Sequence, residues 1–488
     1  MNKYLSSLKA KLSGGPFKEG RFVTNVATII AGTLFSQIIA LLAMPILARI
    51  YSPEDFGVLA TFVMLANNLA MLACLQYQGA IILPKRKETA FVIWIGCLCL
   101  TTIIALLCGL IFLFFDDAIA KWLSSPRLEN WLWLVPISIF AWGGFEASAI
   151  WNTRLKKFKN ISIATVQRRL GMSGLQLSLG GVAGSEVGLI TGQVTGEILG
   201  FATLGSRGMK HAPQKGWKYF NWRMLKILVY RYRRFPQFTL FSSFASALAR
   251  NMPVLCLGIY FNPAIVGFFA LAYKGLVGPL QIGVTSITRV FFERANRAKI
   301  AGNLSELTLK AYQRLVIVTL TPLIMVAMVA PDITVFILGK DWYQTGIYIR
   351  WLCFWVFFMA TASPLHRLFV ILERQNELAV INGLLFLFST TALIIGGESG
   401  DSVFTIAIYS MAASVIWLGQ GARILFIAGV NLKGAIKVIF HELLKSLPYL
   451  LGLAAAVQLT SNIYIRTLIF VILMAIFGLN RIKEVIQK

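Results

Sequence analysis

Apolar residues in this chain come in runs too long for a soluble core. Hydropathy marks fourteen such stretches, most of about 17–27 residues. They lie at 23–47, 57–82, 90–115, 131–153, 161–183, 187–206, 236–260, 264–290, 311–337, 346–370, 377–396, 403–428, 447–460 and 463–480, the thirteenth being short. As an α-helix, a run of about 20 residues covers the ~30 Å hydrocarbon core of a bilayer. The expected fold class is therefore all-α: a polytopic membrane protein with about 14 transmembrane helices. Of 488 residues, 57% are hydrophobic and 14% charged, a balance that soluble globular proteins do not need.

The net charge of +26 first raises nucleic acid as a partner. Its distribution points elsewhere. Sorting the 46 Lys and Arg over alternate loops places about 33 on the side of the N-terminal tail. The opposite loops hold five, Arg49, Lys121, Arg127, Lys340 and Arg466. That asymmetry predicts cytoplasmic N- and C-termini and no nucleic-acid role. Met1 to Phe22 carries five basic residues and no apolar core, so it reads as a cytoplasmic tail and not a cleaved signal. Within 207–234, the sequence from Tyr219 to Arg234 mixes aromatic and basic residues at helical spacing, as a helix on an anionic lipid surface does. On the outer side, the segment from Asp116 reads as a small interfacial helix. Cys74, Cys97, Cys99, Cys108, Cys256 and Cys353 all fall in apolar runs, and His211, His366 and His441 are scattered. No metal site, cofactor or catalytic pair is expected.

Charges inside the apolar stretches carry the functional signal. Arg250 lies ten residues before Tyr260, and Lys274 lies eleven after Pro263. Both therefore sit about 15 Å from the Tyr260–Pro263 turn, near the bilayer midplane. A cation there costs at least about 2.5–3.5 kcal/mol on insertion scales, so it should face a partner or a wet cavity. Arg168 and Arg169 lie about 10 Å into the fifth stretch, with Glu146 in the fourth and Glu197 in the sixth as candidate partners. The excess is cationic and suits an anionic cargo. Arg289, Arg314, Arg350 and Arg367 lie near helix ends and read as snorkelling side chains.

An internal repeat organises the chain. Pro45, Ile50-Tyr51 and Pro53-x-x-x-Gly57 recur as Pro253, Ile259-Tyr260 and Pro263-x-x-x-Gly267, about 210 residues on. Six helices per copy give both copies one orientation, hence two lobes related by a pseudo-two-fold axis along the membrane normal. The expected division is 1–206 for the first lobe, 207–235 for a basic cytoplasmic linker, 236–430 for the second lobe and 431–488 for two further helices. Gly184, Gly188, Gly192, Gly196 and Gly200 bare one face of the sixth helix, for close packing or sliding. Pro45, Pro253, Pro279, Pro322 and Pro364 are candidate kinks. Gln37, Asn67, Asn68, Gln76 and Gln78 read as a polar stripe on the first two helices, serving either sugar contacts or helix–helix hydrogen bonds.

These residues resemble a known family. Leu47-Ala-Arg-Ile-Tyr-Ser-Pro-Glu-Asp-Phe-Gly57 and the second stretch ending Ala80-Ile-Ile-Leu-Pro84 are similar to the opening of Wzx-type O-antigen flippases. Those belong to the multidrug/oligosaccharidyl-lipid/polysaccharide exporter superfamily. Gly188-Leu-Ile-Thr-Gly192, Val266-Gly-Phe-Phe-Ala-Leu-Ala-Tyr-Lys274 with Pro279, and Leu372-Glu-Arg-Gln375 are similar to later family stretches. Many relatives carry a charge just after the second helix, where this chain has Gln76-Tyr-Gln78. The resemblance implies two six-helix lobes around a cationic cavity, plus two helices that border a lipid-tail groove in lipid II flippases. It also implies a cargo, an oligosaccharide on undecaprenyl diphosphate, turned from the cytoplasmic to the periplasmic leaflet of the bacterial inner membrane.

The expected function is thus an alternating-access flippase and not an enzyme. Arg250 and Lys274 would bind the diphosphate, with Arg168 and Arg169 either helping or tied to Glu146 and Glu197. One of those acids is a candidate carrier of a coupling proton; Na⁺ or the membrane potential are the other coupling candidates. Expected partners are the lipid-linked glycan, membrane lipid and other polysaccharide-assembly proteins. Three rivals stand beside this reading: a multidrug antiporter of the same superfamily, which should concentrate acids in its cavity; a membrane polysaccharide polymerase or ligase, which needs a larger outer loop; and a passive scaffold in glycan assembly.

Overall fold

The computed structural model describes residues 19–183, 185–214 and 216–487; side chains at 19–27, 182–183, 238, 242, 281–283, 285–287, 289–290, 292–293 and 482–487 are outside that description. All regular structure among the described residues is helical. The chain begins with α1 Glu19–Ile50, α2 Pro53–Ala73, α3 Lys87–Trp122, α4 Val135–Arg154, α5 Phe158–Ala183 and α6 Glu186–Met209, and a short α7, Trp222–Arg231, follows. Then come α8 Leu240–Tyr260, α9 Pro263–Ala301, α10 Leu304–Leu338, α11 Tyr343–Ala362, α12 Gln375–Glu398 and α13 Ser402–Ile427, with α14 Leu432–Leu459 and α15 Ile463–Gln487 last. Among the described residues, twelve helices are long and apolar enough to cross a membrane. The protein is a multi-pass membrane protein. α5 and α8, the expected fifth and seventh spans, are continuous helices of 26 and 21 residues outside that set of twelve.

The backbone departs from the hydropathy reading in two places. α2 stops at Ala73; left-handed Leu75 and Gln76 (φ 44° and 63°) turn the chain into a 3₁₀ segment, Tyr77–Ile82. Apart from Gln76 and Gln78 the side chains stay apolar through Ile82, so averaged hydropathy does not register the break. The segment after Asp116 is a short helix of its own, set off from the long first part of α3 by a kink at non-helical Phe115 (φ −128°, ψ 17°), as expected from the sequence. α14 is 28 residues long, twice the predicted stretch. Its first half is amphipathic, and averaging over Lys437, His441, Glu442 and Lys445 hid it. Pro45, Pro253, Pro279 and Pro322 lie inside continuous helices, whereas Pro364 sits in the 3₁₀ turn Ser363–Leu365 that ends α11.

The chain forms two compact units. One takes it up to Tyr51 and then Thr61–Asn251; the other takes Ser52–Ala60 and Met252–Lys488. The first unit is cored by Phe91, Trp94 and Trp151, all fully buried. Trp94 and Trp151 stack at 5.2 Å, their indole N–H groups donating to Ser148 Oγ and the Gly208 carbonyl. Leu228 of α7 completes this cluster. The face of α7 away from it leaves Trp222, Ile227 and Tyr230 exposed beside Arg223 and Lys226, the composition of an interfacial helix.

The second unit contains both turns of the repeat. Ser52 caps α2, with its Oγ accepting from the Asp55 amide at 3.2 Å and its own amide and hydroxyl donating to Asp55 Oδ2. Asn262 caps α9 by accepting from the Ile265 amide at 3.1 Å. In each case proline follows at the first helical position, where a missing N–H costs nothing. The two helix starts then meet. A Cβ on Gly57 would overlap the Pro263 carbonyl, and a Cβ on Gly267 would overlap the Pro53 carbonyl. Exchanging 53 with 263 and 57 with 267 reproduces the contact.

Candidate functional site

Charge in the first unit converges on α4, α5 and α6. Arg168 Nη2 lies 3.8 Å from Glu197 Oε1, the two side chains being 18% and 3% exposed. The guanidinium also lies over Trp142 at 4.1 Å and near Phe145 at 5.4 Å. Such cation–π contacts contribute about 0.5–2 kcal/mol. Glu197 accepts further bonds from Ser138 Oγ and, at 2.6 Å, from Gln193 Nε2. The carboxylate is thus surrounded by donors, the condition under which a buried ion pair is tolerable. Arg169, one residue and about 100° further round α5, turns away and donates to Met172 Sδ at 3.2 Å. Glu146 is half-buried. The structure therefore brings Arg168 to Glu197 and leaves Arg169 out of the pair.

The glycine ladder is what lets Arg168 lie so deep. Cβ atoms on Gly192, Gly196 and Gly200 would meet Gln176, Met172 and Arg168 of α5 at 2.5–3.0 Å. The bare face of α6 carries the α5 backbone and the aliphatic stem of Arg168, so the ladder serves close packing. Gly188 instead faces the Tyr51 hydroxyl, which donates to the Gln176 carbonyl at 2.7 Å. Gly184 lies outside the described residues.

Arg250 stands at mid-length on α8 and Lys274 in the first third of α9, and both are exposed. Each follows or precedes a residue that fixes its helix. Asn251 Nδ2 donates to Asn68 Oδ1 at 2.8 Å. Tyr273 stacks between Phe269 and Trp355, and Trp355 meets Tyr409 edge-on at 5.7 Å. Anchoring Tyr273 in this aromatic cluster rotates Lys274 outward. The candidate sugar contacts do not form one stripe. Asn68 is buried and bonded to Asn251, while Gln37 and Asn67 are half-buried on α1 and α2. Gln76 and Gln78 stand beyond the end of α2, on or next to the 3₁₀ segment, and Gln78 Oε1 is buried without a partner.

Three charge pairs were not singled out in the sequence. Glu377 is held by Arg423 (2.8 and 3.0 Å) and Arg374 (2.8 Å) at the start of α12. Glu442 of α14 meets Arg481 of α15 at 2.6 Å, with both buried. Asp332 meets Arg466 at 3.3 Å. All three include a contact between residues far apart in the chain, and sequence spacing carries no signal for such pairs. Gln193 was also not singled out, although its spacing of four from Glu197 places both on one helix face.

With this geometry in view, the chain was compared with known proteins. The family model described as "Polysaccharide biosynthesis protein" matches residues 46–346. No curated protein matches the chain significantly. Among solved structures, a lipid II flippase, MurJ, superposes with a TM-score of 0.74 at 16% identity, covering 94% of this chain and 99% of that one. An inward-facing multidrug resistance MATE transporter of the MOP superfamily gives 0.53 at 14% identity, covering 80% and 94%. A MOP superfamily transporter from Pyrococcus furiosus, described by the reverse polarity of its binding pocket, gives 0.50 at 14%, covering 86% and 98%. At these identities the likeness is one of fold alone.

Proposed function

The chain belongs to the polysaccharide biosynthesis protein family, and from that membership we propose that it is a flippase for lipid-linked oligosaccharide. The cargo is an undecaprenyl-diphosphate-linked repeat unit of O-antigen or another surface polysaccharide. It passes from the cytoplasmic to the periplasmic leaflet of the bacterial inner membrane by alternating access, with both termini of the protein in the cytoplasm. The observation that carries this reading is the exposure of two cations within long helices, Arg250 at mid-length on α8 and Lys274 in the first third of α9. A diphosphate is the anion that repays the cost of keeping such charges at that depth. Arg168 is committed to Glu197, so its role in this reading is to fix α5 against α6. The sugars occupy the wet space, and the polyprenyl tail stays in lipid.

Outward movement of an anion across an inside-negative membrane is favoured by about 2.3 kcal/mol per uncompensated charge per 100 mV. Partial neutralisation by Arg250 and Lys274 would leave the potential able to drive the step. The test is flipping of a lipid-linked oligosaccharide in vesicles, with and without an imposed potential. We expect Arg250→Ala and Lys274→Ala each to slow it by about tenfold or more, as loss of a charge-assisted contact of ~1.5–3 kcal/mol implies. Wild-type rates in both variants would remove the assignment. A multidrug antiporter shares the fold; it predicts cationic drug efflux instead, and a drug-sensitivity assay in a strain lacking the gene reads that directly.

A further inference from the structure

α14 carries two adjacent stripes of opposite character. Leu432, Ile436, Phe440, Leu444 and Leu447 are exposed apolar residues spaced by about one turn. One position on, Lys437, His441 and Lys445 repeat every four residues and line a recess of about 230 Å³, with Gln313 of α10 on its opposite wall. Gly434 leaves one end open, since nothing lies within 4 Å of where its Cβ would be. The acid that also lines the recess, Glu442, is 3% exposed and drawn to Arg481 of α15 at 2.6 Å. Its charge is thereby balanced from behind, and Lys437 leaves the recess net positive.

We propose that this recess binds the phosphate headgroup of an anionic phospholipid, whose acyl chains lie along the exposed apolar stripe. Two features favour a lipid over a soluble phosphate. The cationic and apolar stripes are about 100° apart on one helix, so a molecule with a charged head and apolar tails meets both at once. The recess is also open on the side where that apolar stripe begins. Basic recesses between membrane helices take phosphate headgroups by this combination of charge and apolar contact. The occupant is a resident lipid that ties α14 to α10, separate from the cargo.

The experiment is native mass spectrometry of the full-length protein in neutral detergent, titrated with phosphatidylglycerol, phosphatidylcholine or inorganic phosphate. Phosphatidylglycerol should bind at least about fivefold more tightly than phosphatidylcholine, and Lys437→Gln should reduce that affinity about fivefold, as expected for one basic group at a membrane surface. Lys437→Arg should retain it, and Lys121→Gln on α3, whose ammonium is paired with Asp117 at 2.6 Å, should leave it unchanged. If Lys437→Gln does not fold, His441→Gln is read in its place. Wild-type affinity in the α14 variants would overturn the proposal. So would displacement of the bound phosphatidylglycerol by millimolar inorganic phosphate, which would make this a free-phosphate site.

Discussion

The two repeats seat their turn tyrosines alike and place their charge differently. Tyr51 lies against Gly180 and Gly188 at the α5–α6 hairpin, and Tyr260 lies against Gly397 at the α12–α13 hairpin. Between those helices the copies diverge. α5 and α6 enclose Arg168 and Glu197 at depth, with Ser138, Gln193 and Trp142 completing the shell. α12 and α13 pack Leu393, Ile406 and Ala413 there, and their acid, Glu377, sits in the first turn of α12 with Arg374 and Arg423. A mid-depth pair needs every lone pair and proton satisfied by protein, whereas a helix-end cluster also has water. The repeat therefore preserves the packing of its turn and leaves charge free to serve a different end in each copy.

The widest separation between the copies should appear on removing one acid from each. Glu197→Leu strands the Arg168 guanidinium in the membrane interior and should cost about 3–5 kcal/mol, the usual penalty for an orphaned buried partner. Glu377→Leu, at a partly exposed cluster, should shift stability only slightly. Thermal unfolding of the detergent-solubilised protein reads both. The double variant Arg168→Leu/Glu197→Leu should recover much of the first loss, because it removes the uncompensated charge. If its loss equals the sum of the two single variants, Arg168 and Glu197 are not coupled and the contrast fails.

How much of this was legible in advance follows from what each signal measures. Hydropathy averages over many residues, so it placed the long spans but missed the left-handed turn at Leu75–Gln76 and the amphipathic first half of α14. The Pro53/Gly57 and Pro263/Gly267 repeat was visible because tight turns restrict residue type at fixed spacing. The approach of Arg168 to Glu197 was one of several pairings open among two arginines and two acids. Neighbouring arginines project about 100° apart on a helix, and only the packing of α5 on α6 settles which one faces the acid. Glu442–Arg481 lay beyond reach, because it depends on how α14 and α15 pack.

Where the copies coincide, paired substitutions should give paired effects. Gly57→Ala and Gly267→Ala each drive a methyl into a backbone carbonyl that has no flexible end to yield. Each should lose about 1–3 kcal/mol, the range for overpacking, and the two losses should be similar. Gly278→Ala is the control, since nothing lies within 4 Å of its Cβ position; there the gain in helix preference should leave stability unchanged or raised by up to about 1 kcal/mol. A large loss at one of the paired glycines and none at the other would show that the reciprocal contact is not shared evenly.

The caps offer the finest test of the same symmetry. Ser52→Ala and Asn262→Ala should each cost about 0.5–2 kcal/mol, and the glycine replacements only a few tenths. The serine should prove the costlier of the two. Its hydroxyl both donates to Asp55 Oδ2 at 2.8 Å and accepts from the Asp55 amide, and Asp55 is 3% exposed. Losing the hydroxyl leaves a buried carboxylate with one donor fewer. Asn262 is exposed and serves a backbone amide that water can reach. Equal losses at the two caps would mean that the burial of Asp55 adds nothing to the first turn of α2.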